Sequence, residues 1–166
     1  MLATWLEWRK WIFDIDNRSG QETGYVFEPI LASCLGGTSV SHTSSPVKRI
    51  NDSGKRTNEG RQVDCYIEDA KEVYELKMRV TIAASGQGRF KEELSFPYEA
   101  KESGMTPILV VFDETESALL TKLKAQFKHY GGKCFVGQAA WDMLYVDKND
   151  DSIIISDGSN QYKIGR

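Results

Sequence analysis

The chain has 166 residues, 40% hydrophobic and 27% charged, and a formal net charge of −3. That length and apolar content suit one globular domain with a core of its own and exclude a disordered chain. The net charge points neither toward nor away from nucleic acid as a whole, so a charged partner has to be argued from local charge.

In chain order, "MLATWLEWRKWIF" places Trp5, Trp8 and Ile12 on one helical face, with Glu7 and Lys10 off it. This is an amphipathic helix, too often interrupted by charge for a signal peptide or a membrane span. Its tryptophan face either docks on the protein's own core or offers a partner surface. The polar run "DIDNRSGQETG" follows, so residues 1–20 are read as an N-terminal helix and linker within a single domain spanning 1–166. "YVFEPILASCLGG" predicts a second helix, with Pro29 tolerable only in its first turn and Gly36 or Gly37 as the stop. "TSVSH" alternates like a strand. The segment from Thr43 to Gly60, rich in Ser, Asn, Gly, Lys and Arg, reads as a long loop in which an irregular strand can hide.

Gln62 to Ile67 and Glu72 to Val80 predict the strands of a hairpin around "EDAK". A helix is expected from about Arg89 to Glu102, with Pro97 inside it and Gly104 at its end. "PILVVF" is a continuous apolar run, the mark of a strand covered on both faces. Asp113 is a plausible N-cap with Glu116 at the capping-box spacing. Leu119, Leu120, Leu123 and Phe127 then form an apolar helical stripe closed by Gly131-Gly132. "KCFVG" is a short strand, "QAAWDMLYV" a short helix and "SIIIS" a last strand. The fold class is therefore α/β, a mixed β-sheet flanked by helices in α-β-β-β-α-β order, with "PILVVF", helix and "KCFV" as a right-handed parallel crossover. Cys34, Cys65 and Cys134 lie far apart with no C-x-x-C pair, as expected of reduced core residues in a cytoplasmic protein.

In the second hairpin strand, Glu75, Lys77 and Arg79 point one way and Tyr74, Leu76, Met78 and Val80 the other. A turn centred between Asp69 and Ala70 sets Val63 beside Leu76, Cys65 beside Tyr74 and Asp64 beside Glu75, so apolar and polar pairs sort onto opposite faces. Two opposed carboxylates, with Cβ atoms roughly 4.5 to 5.5 Å apart, destabilise a sheet unless something neutralises them. A divalent cation does so. Mg²⁺ accepts one or two carboxylates together with waters and phosphate oxygens, and Lys77 on the same face can then reach the attacking water or the charge developing on a phosphate. The alternative is a solvated face of cross-strand ion pairs, which leaves the opposed acids unexplained.

Asp64, ten intervening residues, then Glu75-Leu76-Lys77 on a hairpin after a helix resembles the PD-(D/E)xK phosphodiesterase superfamily, which has the restriction-endonuclease-like fold. More narrowly, "YELKMRVTIAASGQGRF", "PILVVFD" and "GGKCFVGQAAWDML" are similar to type II restriction endonucleases of the ApaLI-like kind. The resemblance covers roughly Tyr25 to Leu144, and departs from the pattern in having Val63 rather than Pro before Asp64. It implies that Asp64 and Glu75 ligate Mg²⁺, that the Leu76 carbonyl adds a ligand, and that Lys77 orients or activates water. Glu28 matches the place of an extra acid in many members, or is an ordinary first-turn acid favoured by the helix dipole.

"SGQGRFK" lacks a full G-x-G-x-x-G and a Walker lysine, so it is read as a flexible basic loop, with Gln87, Arg89 and Lys91 able to meet a phosphate or base edge. Lys55, Arg56, Arg61 and Arg79 complete the cations expected to contact DNA. His42 and His129 have no partners at metal spacing. The function expected is a Mg²⁺-dependent endodeoxyribonuclease of restriction type acting on double-stranded DNA. The alternatives are a repair nuclease or junction resolvase, or a non-catalytic DNA-binding or assembly module. A homodimer or a subunit of a larger nuclease is the expected assembly, with no membrane partner.

Overall fold

The computed structural model describes residues 26–51, 53–78 and 87–144, with 87–89 as backbone only, and the backbone of residues 152–156 and 161–165. The helix expected around Trp5 and Trp8, Arg79, and the side chains of Gln87 and Arg89 fall outside the described residues.

Residues 26–34 are helical (α1), and Gly36 ends the helix with φ of 78°, a left-handed conformation that glycine adopts without a Cβ penalty. Then come β1 (Thr38–Val40), β2 (Lys48–Ile50), β3 (Arg56–Gly60), β4 (Val63–Ile67), β5 (Glu72–Lys77), α2 (Gln87–Glu102), β6 (Thr106–Val111), α3 (Ala118–His129), β7 (Lys133–Val136), α4 (Gln138–Asp142), β8 (Ser152–Ser156) and β9 (Gln161–Gly165). The central sheet has the order β1-β4-β5-β6-β7; β4 is antiparallel to its neighbours, while β5, β6 and β7 run parallel. This is the mixed sheet that the sequence predicts.

The structure departs from the sequence reading at three places. The polar segment 43–60, read as a loop able to hide an irregular strand, holds two, β2 and β3, which pair antiparallel with a register shift as a separate small sheet. "SIIIS" pairs with Gln161–Gly165 in a hairpin of its own, not with the central sheet. The cap of α3 is Ser117, whose hydroxyl accepts the Leu120 N–H; the Asp113 carboxylate instead accepts the N–H and hydroxyl of Thr115, a local turn that competes with capping.

Each face of the sheet carries a cluster. Leu31, Ala32, Tyr74, Leu76, Ile108, Val110, Ala140 and Leu144 join α1 and α4 to one face. Val73, Phe96, Leu109, Val111, Leu120, Leu123 and Phe127 join α2 and α3 to the other. Pro107 through Val111 are buried, as a strand with neighbours and helices on both sides requires. Cys34 and Cys65 are free and buried, and Cys134 is free and half-buried. No described helix is long and apolar enough to cross a membrane.

Arg61, grouped by sequence with the DNA-facing cations, is not a free surface charge. Its guanidinium lies 2.8 Å from Glu99 of α2, with side chains 9% and 4% exposed. It also donates to the Glu92 carbonyl and the Ser95 hydroxyl and lies over the Phe96 ring. Glu99 in turn accepts the Ile50 N–H from β2. Removing one member of such a pair strands the other charge, so Glu99→Ala should cost about 3–5 kcal/mol. Urea unfolding measures it; a loss under about 1 kcal/mol would place the pair among surface bridges of little worth.

Candidate active site

The β4–β5 ladder follows the expected register from Ile67↔Glu72 to Cys65↔Tyr74 and stops there. Past that point the strands part. Val63, expected beside Leu76, packs in the cluster under α2, whereas Leu76 packs in the opposite cluster. At this divergence the Asp64 side chain bonds to the neighbouring strand, its Oδ2 accepting the Leu76 N–H at 2.9 Å. A carboxylate is thereby fixed at the fork of the sheet by the backbone of the strand that carries Glu75 and Lys77.

Lys77 lies between two acids, 3.1 Å from Glu75 and 3.0 Å from Glu93 of α2, the three side chains being 15%, 14% and 19% exposed. Glu28 of α1, Asp64, Glu75, Leu76 and Lys77 line one polar pocket with Arg49, Arg61, Gln62, Glu92 and Glu93, a space of about 260 Å³. The four residues expected to carry the chemistry therefore converge from α1, β4 and β5. The pocket adds Arg49 and Glu93, which sequence reasoning missed. Neither shares a local spacing with the hairpin, since only the docking of β2 and α2 brings them in. Lys55 and Arg56 are exposed on the β2–β3 hairpin and Lys91 is exposed on α2. The backbone of Gln87 to Lys91 is helical, not a loop.

Burial raises the Asp64 carboxyl well above its ordinary range, and the charges of Glu75 and then Glu28 raise it further; the Leu76 N–H and Lys77 only partly oppose this. For Lys77, burial favours the neutral amine, but Glu75 and Glu93 outweigh it and hold the ammonium above its ordinary pKa. A buried carboxylate among like charges is where a hard cation is best tolerated, and oxygen donors suit Mg²⁺. Among the described residues no group of three or more His, Cys, Asp or Glu side chains is gathered as a metal cluster. The oxygen donors that could hold such an ion here are Asp64 and Glu75, with the Leu76 carbonyl.

The Asp64 shift has a consequence for stability. Its folded pKa lies above its ordinary 3.8, so the native state binds more protons, and stability present below that value is lost as pH rises through the folded pKa. Asp64→Asn keeps an acceptor for the Leu76 N–H and removes the charge. In chelator it should match the wild type near pH 3.8 and melt progressively higher than it as pH rises. Parallel melting curves across that range, with no gap opening, would contradict the burial of this charge.

The family model described as ApaLI-like restriction endonuclease matches residues 11–154. Over 146 residues the chain is 55% identical to the type II restriction enzyme ApaLI of Acetobacter pasteurianus, covering 86% of this chain and 38% of that protein. The chain thus spans well under half the length of the curated relative it matches. No solved structure matches it.

Proposed function

The chain belongs to the ApaLI-like restriction endonuclease family, and on that premise we propose that it hydrolyses phosphodiester bonds of double-stranded DNA as a restriction-type, Mg²⁺-dependent endonuclease. The observation that carries the reading is the convergence of Asp64, Glu75 and Lys77 in one pocket at the parting of β4 and β5. Asp64 and Glu75, with the Leu76 carbonyl, would hold Mg²⁺. When bound, that cation neutralises phosphate charge and makes water a better nucleophile.

The remaining work falls to the chain itself. The Leu76 N–H fixes the orientation of Asp64. Glu93 gives Lys77 a second partner, so that its ammonium stays in the pocket when Glu75 turns to other work. From there Lys77 meets the negative charge that builds on the phosphate. Glu28 stands as a third acid whose field deepens the pocket's preference for a cation. Each chain offers one such set, and cutting both strands calls for two, supplied by a homodimer or by a larger nuclease of which this chain is a subunit. Free cysteines fit a reducing cytoplasm.

Incubating supercoiled plasmid with the protein in Mg²⁺ and in chelator tests the proposal. Discrete fragments with uniform ends, formed only with Mg²⁺, are expected. Cuts confined to branched or damaged DNA would turn the reading to repair, and intact plasmid would reduce it to a DNA-binding module.

A further inference from the structure

Three cations line the pocket: Arg49, Arg61 and Lys77. Two are firmly held by carboxylates, Arg61 at 2.8 Å from Glu99 and Lys77 at 3.0 and 3.1 Å from Glu93 and Glu75. Arg49 is different. Its Nε lies 3.4 Å from Glu59 and its Nη2 3.9 Å from Glu92, and those side chains are 68% and 58% exposed. Loose contacts to solvated carboxylates contribute little. Moreover, the Nε is buried and makes no hydrogen bond to any described residue. A buried donor left unmade is costly, and in a native protein it calls for an acceptor.

The backbone around this side chain is well fixed. On either side of it, the Ile50 N–H is taken by Glu99 of α2 and the Lys48 N–H by Ser103, just past the end of that helix. The Thr57 hydroxyl donates to the Arg49 carbonyl. A planar five-donor fork on an anchored strand, turned into a pocket of acids, suits a ligand that brings its own anionic oxygens. Resting on the nuclease reading above, we infer that Arg49 binds a backbone phosphate of the DNA strand held at this pocket, exchanging Glu59 and Glu92 for phosphate oxygens. It is a phosphate-binding residue, and its grip is independent of base sequence.

Affinity for a labelled random-sequence duplex, measured in chelator over a salt series, with KM for plasmid in Mg²⁺ measured in parallel, tests this. Arg49→Gln is expected to weaken binding by roughly ten-fold or more and to reduce the slope of log affinity against log salt by about one. Arg49→Lys should keep the slope and lose only part of the affinity, and both variants should melt with the wild type. If the wild type binds and cleaves while Arg49→Gln matches it in affinity, KM and salt slope, the assignment of Arg49 falls and the nuclease reading stands. Equal losses in the Gln and Lys variants with an unchanged slope would make the role structural and overturn it too. A wild type that neither binds duplex nor cleaves plasmid would overturn both readings together.

Discussion

Asp64→Asn and Glu75→Gln are each expected to abolish plasmid cleavage, with turnover down by roughly a thousand-fold or more. Each variant keeps the size and shape of the side chain and removes one charge from the pocket. The loss should therefore appear in chemistry and not in folding. Asn can still accept the Leu76 N–H, so the fork between β4 and β5 keeps its tie. Metal-free melting separates the two effects, because a protein damaged in its fold melts lower, whereas one relieved of a buried charge does not. Calorimetric titration with Mg²⁺ should show weakened uptake by both variants. Cleavage at wild-type rate in either one would remove these carboxylates from the mechanism.

Lys77→Ala is expected to lower turnover by about 10²–10³-fold while changing DNA affinity by no more than roughly three-fold. An ammonium facing the phosphate would strengthen its hold as charge builds there, so its contribution would appear in kcat. A second consequence comes from the neighbours. Glu75 and Glu93 both approach the lysine within 3.1 Å, and without it two half-buried carboxylates share a site with no cation between them. The variant should melt lower than wild type in chelator and regain part of the difference in Mg²⁺. Single-turnover cleavage at saturating protein, set beside direct binding, decides the point. A loss carried mainly by affinity would reassign Lys77 to DNA positioning.

Much of this site was legible because period-two alternation is a strong constraint. Placing the turn between Asp69 and Ala70 pairs Cys65 with Tyr74, and the structure has that pair. It also puts Tyr74 and Leu76 in one core cluster, with Glu75 and Lys77 pointing away from it. "PILVVF" announced the central strand by a different signal, an unbroken apolar run whose residues are buried on both faces. Legibility failed where a side chain replaced the ladder. Alternation sends Val63 to the face of Leu76, but once the Asp64 carboxylate takes the Leu76 N–H the strands part and Val63 joins the other cluster. It failed again where the partner lies far along the chain. Arg61 resembles any surface cation until α2 brings Glu99 to it, and Arg49 resembles loop until β2 docks. Strands as short and polar as Lys48–Ile50 and Arg56–Gly60 carry no apolar period to read.

The double contact of Glu99 reaches beyond its own energy. One carboxylate accepts from Arg61, just past β3, and from the Ile50 N–H in β2, so two of the small sheet's ties to α2 run through a single side chain. Local opening in such a case is cooperative across the joined parts. Amide protons of β2, β3 and the α2 segment around Glu99 should exchange as one kinetic class, distinct from the slower amides of β5 and β6. The pocket wall that carries Arg49 and the wall that carries Glu93 would then open in step, while the floor, built on the strand bearing Glu75 and Lys77, would stay closed to deuterium.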